Sequence, residues 1–177
     1  MKALCVFAIG LLSAASVATW AGEAGPTDPQ IAAIVVTANQ VDIDAGKLAQ
    51  TQASAKDVKD FAQRMITDHS SVNKSAPELV TRLTVTPEPN DPSKSLQKGG
   101  DDNLAALKKL TGAAFDKAYI DHEVVYHQAV LDAVDQTLIP NAKNAELKAL
   151  LVKTRPAFVA HLAHAKQVQG SLSKSGQ

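Results

Sequence analysis

The stretch HEVVYH, residues 122–127, sets two histidines and a glutamate inside an apolar helical pattern, and His69 and His161 interrupt similar patterns elsewhere. Imidazole and carboxylate side chains together suit zinc, copper or iron. The stretch is one residue longer than the H-E-x-x-H zinc motif, so His122 and His127 stand roughly 140° apart on a helix and cannot chelate one ion from one face. Glu123 and His127, at i and i+4, do share a face. A di-iron carboxylate centre needs two E-x-x-H motifs. Three residues before His69, His122, His127, His161 and His164 stand Ile66, Tyr119, Val124, Phe158 and His161, so the standard di-iron pattern is not supported. Two chemistries stay open. One is a mononuclear site of three histidines and a carboxylate. The other is a metal-free network in which buried histidines and carboxylates satisfy one another, with Tyr119 and Tyr126 able to join.

Four amphipathic segments must position these groups. Asp28 and Pro29 suit a helix start, and Ile31, Ile34, Val35, Ala38, Ala45, Leu48 and Ala49 form a stripe that predicts a first helix to about Ala53. Ser54 and Asp57 read as a capping box opening a second, with Val58, Phe61, Ala62, Met65, Ile66 and Val72 along it. Pro77 is expected to kink or end this helix, and the proline- and glycine-rich run over 84–103 reads as a long connection closed by a short helix from about Asp102 to Leu110. After Thr111 and Gly112 a third long helix carries Phe115, Tyr119, Tyr126, Val130, Ala133 and Val134 and stops at Pro140. The fourth starts near Asn144, with Leu147, Leu150, Leu151, Phe158, Leu162, Ala165 and Val168 on one face and a bend expected at Pro156. The fold class expected is all-α, an antiparallel four-helix bundle with a long connection between helices two and three.

Each helix carries an ionisable residue where the period calls for an apolar one. These are Asp42 between Ala38 and Ala45, His69 beyond Met65, Glu123 within the third stripe with His122 and His127 at its edges, and His161 beyond Phe158. Counted from the tight turns, Asp42 and His69 differ in height by roughly 3 Å, and Glu123 and His161 are also nearly level. His127 is expected about 9 Å nearer its turn than His161 if both helices are straight. His164 is expected on a solvated flank, as are Asp121, Asp132 and Asp135. Gly46 implies a close helix approach.

The chain has 177 residues, 45% hydrophobic, with 18 basic and 18 acidic side chains, which fits one domain with a substantial core. With no net charge it offers no field for phosphate backbones, so nucleic acid is not an expected partner. Lys2 followed by an apolar run to about Ala18 and small residues reads as a signal peptide over 1–21, ahead of a linker over 22–27, the bundle over 28–170 and a tail over 171–177. No other segment reads as a transmembrane span. The single cysteine, Cys5, lies in the segment to be removed, which excludes disulfides and thiolate ligands from the mature chain.

The segments DAGKLAQTQASAKDVKDFAQRMITDHS, LTGAAFDKAYIDHEVVYHQAVL and RPAFVAHLAHAKQV resemble, in order and spacing, exported bacterial proteins of the domain of unknown function 4142 family, which are assigned a ferritin-like fold. The likeness spans roughly 28–170, and F-A-x-x-M-x-x-D-H and F-D-x-x-Y are its more specific motifs. It implies a ferritin-like bundle in the periplasm or at the outer membrane. It also implies that the family's histidines fall on His69, His127 and His161, its acidic position on Asp42 and its glycine on Gly46. This chain departs from the pattern in carrying Tyr126 where the family has Asp, Asp42 where Glu is usual, and His122 with Glu123 at unreserved positions. The metal set expected is therefore Asp42, His69, Glu123, His127 and His161, holding one zinc, copper or iron ion. No residue is assigned a catalytic role. The rival expectation is a metal-free scaffolding module with an envelope protein partner, its function on the surface or in the 84–103 connection. Oxidoreductase chemistry would require an open coordination position.

Overall fold

The computed structural model describes residues 25–83 and 86–175, with side chains over 25–74 and 86–174. The expected signal peptide lies outside the described residues. Every described element is helical: α1 (Asp28–Gln52), α2 (Lys56–Leu83), α3 (Asp91–Leu107), α4 (Gly112–Ala133), a π-helical turn (Val134–Leu138), the short α5 (Ile139–Asn141) and α6 (Ala145–Ser175). Among the described residues, none of these helices is long and apolar enough to cross a membrane. The main interfaces pair α1 with α2, α4 with α6 and α1 with α3.

Two apolar clusters occupy opposite ends. Ala45, Ala49, Phe61, Met65, Phe115, Tyr119, Ala165 and Val168 build one; Ile31, Ile34, Leu131, Val134, Leu138, Leu147, Leu151, Phe158 and Leu162 build the other. Reading α1, α4 and α6 from cluster to cluster gives their directions, with α4 antiparallel to α6; α2 starts in the first cluster at Val58 and Phe61 and brings Val72 beside Ile34, Val134 and Phe158 of the second, so it runs antiparallel to α1 and the same way as α4. A parallel pair needs a return path, and α3 supplies it. Leu96 packs on the second cluster, Leu104 packs on the first and Leu107 belongs to it.

The helix over 91–107 replaces most of the loop that proline and glycine suggested. Asn90 caps it by accepting from the Ser93 N–H at 2.9 Å, Pro92 sits in the first turn where no N–H is needed, and Lys98 pairs with Asp102 at 2.5 Å. Gly100 does not break the helix; it is buried against α1, where an added Cβ would lie 2.7 Å from Val41 Cγ2. Pro77 does not end α2, which continues to Leu83, and α6 passes through Pro156 and on to Ser175. Gly46 behaves as expected, since a Cβ there would meet Ile66 at 3.0 Å and the Ala62 carbonyl at 3.1 Å.

Two aspartates tie distant turns together. Thr27, not Asp28, is the N-cap of α1. The Asp28 carboxylate instead accepts from the Lys143 and Asn144 N–H groups, both at 2.9 Å, fixing the entry to α6. Likewise the capping box expected at Ser54 and Asp57 is replaced by Asp116 of α4, which accepts from the Ser54 N–H and Ala55 N–H at 2.9 Å and from the Ser54 hydroxyl. A buried carboxylate holding three donors cannot be deleted without orphaning them, so Asp116→Ala should lower stability by about 2–3 kcal/mol in urea unfolding. Ser54→Ala, which leaves both backbone donors in place, should cost clearly less.

Candidate metal centre

Between the two apolar clusters lies a polar layer. Asn39 and Asp42 come from α1, His69 from α2, Glu123 and His127 from α4, and His161 from α6. All are buried, with His127 0%, Asp42, Glu123 and His161 1%, and His69 3% exposed, so bulk water cannot satisfy them. The expected set Asp42, His69, Glu123, His127 and His161 is thus brought together. His127 is at the middle of the layer, not offset along the axis as straight helices imply. Its ring centroid is 5.9 Å from that of His69 and 5.4 Å from that of His161, and His69 and His161 are 5.2 Å apart.

Each imidazole has one nitrogen engaged outward. His69 Nδ1 lies 2.6 Å from Asn39 Oδ1, His127 Nδ1 lies 3.0 Å from the Glu123 carbonyl, and His161 Nε2 lies 2.8 Å from Asp68 Oδ2. Every one of these partners is an acceptor, so each ring donates there and keeps its lone pair on the other nitrogen. Those other nitrogens, His69 Nε2, His127 Nε2 and His161 Nδ1, have no hydrogen-bond partner, and neither has either Asp42 oxygen. Asp42 Oδ2 is 2.9 Å from His69 Nε2 and 3.3 Å from His127 Nε2, close but not aligned as hydrogen bonds. One donor atom from each of the three histidines falls within 4.8 Å of the others, as do atoms of Asp42, Glu123 and His127. Buried, unpaired nitrogen and oxygen donors facing one another, with the outer nitrogens fixed by carbonyl, amide and carboxylate, are what a bound transition metal requires.

The electrostatics follow from this crowding. Burial pushes the Asp42 carboxyl up, but His69, His127 and His161 together outweigh it and hold it below its ordinary value. Burial pulls His127 down, and the Glu123 hydrogen bond with the Asp42 charge more than reverses this, leaving it raised. His161 is lowered to about 4, chiefly by burial, with His69 and His127 adding to it against the opposing Asp68. Glu123 is raised to about 7 by burial and by the Asp42 charge. Burial and the Glu123 carboxyl push the Tyr119 hydroxyl well up.

Residues outside the expected set matter too. Asn39 and Asp68 orient His69 and His161. Asn39 is three residues before Asp42 and so on its face, a signal available in the sequence; the Asp68 contact, across 93 residues, leaves none. The Tyr126 hydroxyl donates to the Ala38 carbonyl at 2.7 Å, joining α4 to α1. His122 stacks on Tyr126 at 5.7 Å, outside the layer, and His164 is half-buried with its ring edge against Phe61 at 5.2 Å. Asp135 pairs with Arg155 through both carboxylate oxygens on the surface.

Fold and layer define a helical-bundle protein with a buried histidine–carboxylate centre. The chain belongs to the family described as Domain of unknown function (DUF4142), whose model matches residues 13–168. Among solved structures it is similar to one described as "CopM in the Cu(II)-bound form", with 20% identity, a TM-score of 0.64, and coverage of 82% of this chain and 98% of that one. That likeness extends to the fold. No curated protein gives a significant match.

The raised Glu123 gives a pH test on metal-free protein. Its folded pKa of about 7 exceeds the ordinary 4.5, so the folded state binds the proton more tightly, and this stabilisation is lost as pH rises through 7. Glu123→Gln keeps the shape without the charge. It should raise the melting temperature at pH 8, where the wild type carries a buried charge costing on the order of 3 kcal/mol, and change it little at pH 4. Equal shifts at both pH values would show that the carboxyl titrates normally.

Proposed function

We propose that this chain is an exported ferritin-like bundle protein of the periplasm or outer membrane that holds one transition-metal ion at Asp42, His69, His127 and His161. Glu123 completes the centre from beside His127. The observation that carries this is the set of unpartnered donor atoms, His69 Nε2, His127 Nε2, His161 Nδ1 and the Asp42 carboxylate, buried in one layer. Three imidazoles and one carboxylate suit zinc, copper(II) or iron, and the absence of thiolate from the donor set argues against a soft-metal site. The ion would supply a fixed positive charge to a buried anion and lone pairs that otherwise face one another unsatisfied. The neighbouring fold is described as copper(II)-bound, so copper(II) is the first ion to test. Export rests on the signal-peptide pattern over 1–21, with a linker over 22–27 ahead of the bundle over 28–170 and a tail over 171–177. The ferritin-like topology is supported by the single long crossover between α2 and α4.

A metal-free scaffolding role in the envelope is favoured by one contact, the 2.9 Å approach of Asp42 Oδ2 to His69 Nε2, which needs only a proton to become an ion pair. Protein purified without a histidine tag, loaded with copper(II), zinc or iron and then desalted, separates the two. About one ion per chain is expected by elemental analysis, with none retained by the His69→Ala/His161→Ala double variant. Failure to retain any of the three ions would leave the scaffolding role.

The outer partners give a finer test. Asn39→Ala and Asp68→Ala remove no proposed ligand, yet each should weaken the ion's affinity about 10- to 100-fold in competition titrations. Affinity unchanged in both would mean that the ring orientations are fixed by packing alone.

A further inference from the structure

An apolar cavity of about 110 Å³ opens off one side of the polar layer. Its walls include Ile34, Val134, Leu138, Leu151 and Phe158, and His69, His127 and Asn39 stand at its inner end. Among its lining residues Ala129 is exposed and Val35, Val130 and Leu150 are half-buried, so the lining runs from solvent to the imidazoles. Protein interiors are close-packed, and a void of this size forfeits contacts that a larger side chain at Ala38 or Ala133 would restore.

The wall carries a second costly feature. Val134 and Leu138 bound the π-helical turn that interrupts the α-helical pattern at the end of α4, and both face the cavity. Such turns are rare and concentrate at functional sites. The polar residues of the layer lie at the inner end, whereas the body of the cavity offers almost no hydrogen-bonding partners and would hold water poorly.

We infer that the cavity is a binding site for a small uncharged apolar molecule, from the size of a diatomic gas to that of benzene, and that it leads this molecule to the histidine layer. A dry cavity of roughly 150 Å³ lined by Leu, Ile and Phe takes up xenon or benzene; the body of this one is lined by the same residue types and is somewhat smaller, and it differs in its polar inner end and in its opening toward solvent. Charged or strongly hydrated ligands are excluded because the walls cannot replace their water. Site formation depends on the apolar walls and not on an ion, so it goes beyond the metal reading. If an ion is held, the cavity adds a route by which a neutral ligand reaches it.

Xenon is the probe. Methyl-labelled, metal-free protein titrated with xenon gas should show saturable shifts confined to the methyls of Ile34, Val134, Leu138 and Leu151. Ala133→Leu, which fills the cavity, should weaken the response about tenfold or more. Leu151→Ala, which enlarges it, should keep the xenon response and gain stabilisation by benzene, read as a rise in melting temperature. This second variant decides the matter if Ala133→Leu does not fold. Non-saturable shifts spread over the surface, an unchanged response in folded Ala133→Leu, or no benzene effect in Leu151→Ala would each overturn the inference. Repeating the titration with the His161→Ala variant, which removes a proposed metal ligand and no part of the cavity lining, should leave xenon binding at Leu138 and Leu151 in place, so the cavity and the metal proposal fail independently.

Discussion

The structure depends on burying polar groups level with one another between two apolar ends. Each long helix interrupts its apolar stripe with buried polar side chains, Asn39 and Asp42, His69, the Glu123–His127 pair and His161, and the bundle register brings these together between the two clusters. A slide of one helical turn, about 5.4 Å, would push a charged or imidazole side chain into an apolar cluster and leave its partners unmatched. Register is therefore set by polar exceptions more than by shape. The aliphatic positions around them, many of them alanine, would pack acceptably in several alignments.

The turns are built to hold that register. Asp116 reaches from α4 to close the start of α2, and Asp28 reaches from α1 to close the start of α6. Each carboxylate joins one helix hairpin to the other, so neither pair can shift along its axis without breaking backbone hydrogen bonds. Gly46 and Gly100 contribute on the opposite faces of α1, where the absence of a side chain lets α2 and α3 come close. Close approach shortens the distance that Asp42 must span to His69 with a side chain of a single methylene.

Most of this was legible in the sequence, because the signal is periodic. Asp42, His69, Glu123 and His161 stand out as ionisable residues on apolar stripes, and counting from short turns was enough to set Asp42 beside His69. His127 is expected too far from His161 because axial counting compares backbone heights alone; in antiparallel helices each side chain leans toward its own N-terminus, His127 away from the turn and His161 toward it, and their rings meet at 5.4 Å. The helix over 91–107 is hidden in the sequence for a different reason: proline and paired glycines ordinarily punctuate, and only the tertiary fact that Gly100 faces Val41 turns a breaker into a contact. Asp116 and Asp68 act through partners 61 to 62 and 93 residues away, and local pattern carries no information about such pairs.

The polar layer draws one residue or pair from each of four helices, and the outermost of the proposed ligands, Asp42 and His161, come from near opposite ends of the bundle sequence. No hairpin, and no partly made chain, contains the centre. It comes into being only with the last helix seated, so the chemistry available to it is set by the surroundings in which folding finishes. Whatever ion, proton or neutral molecule is present at that moment is the one the layer first encounters.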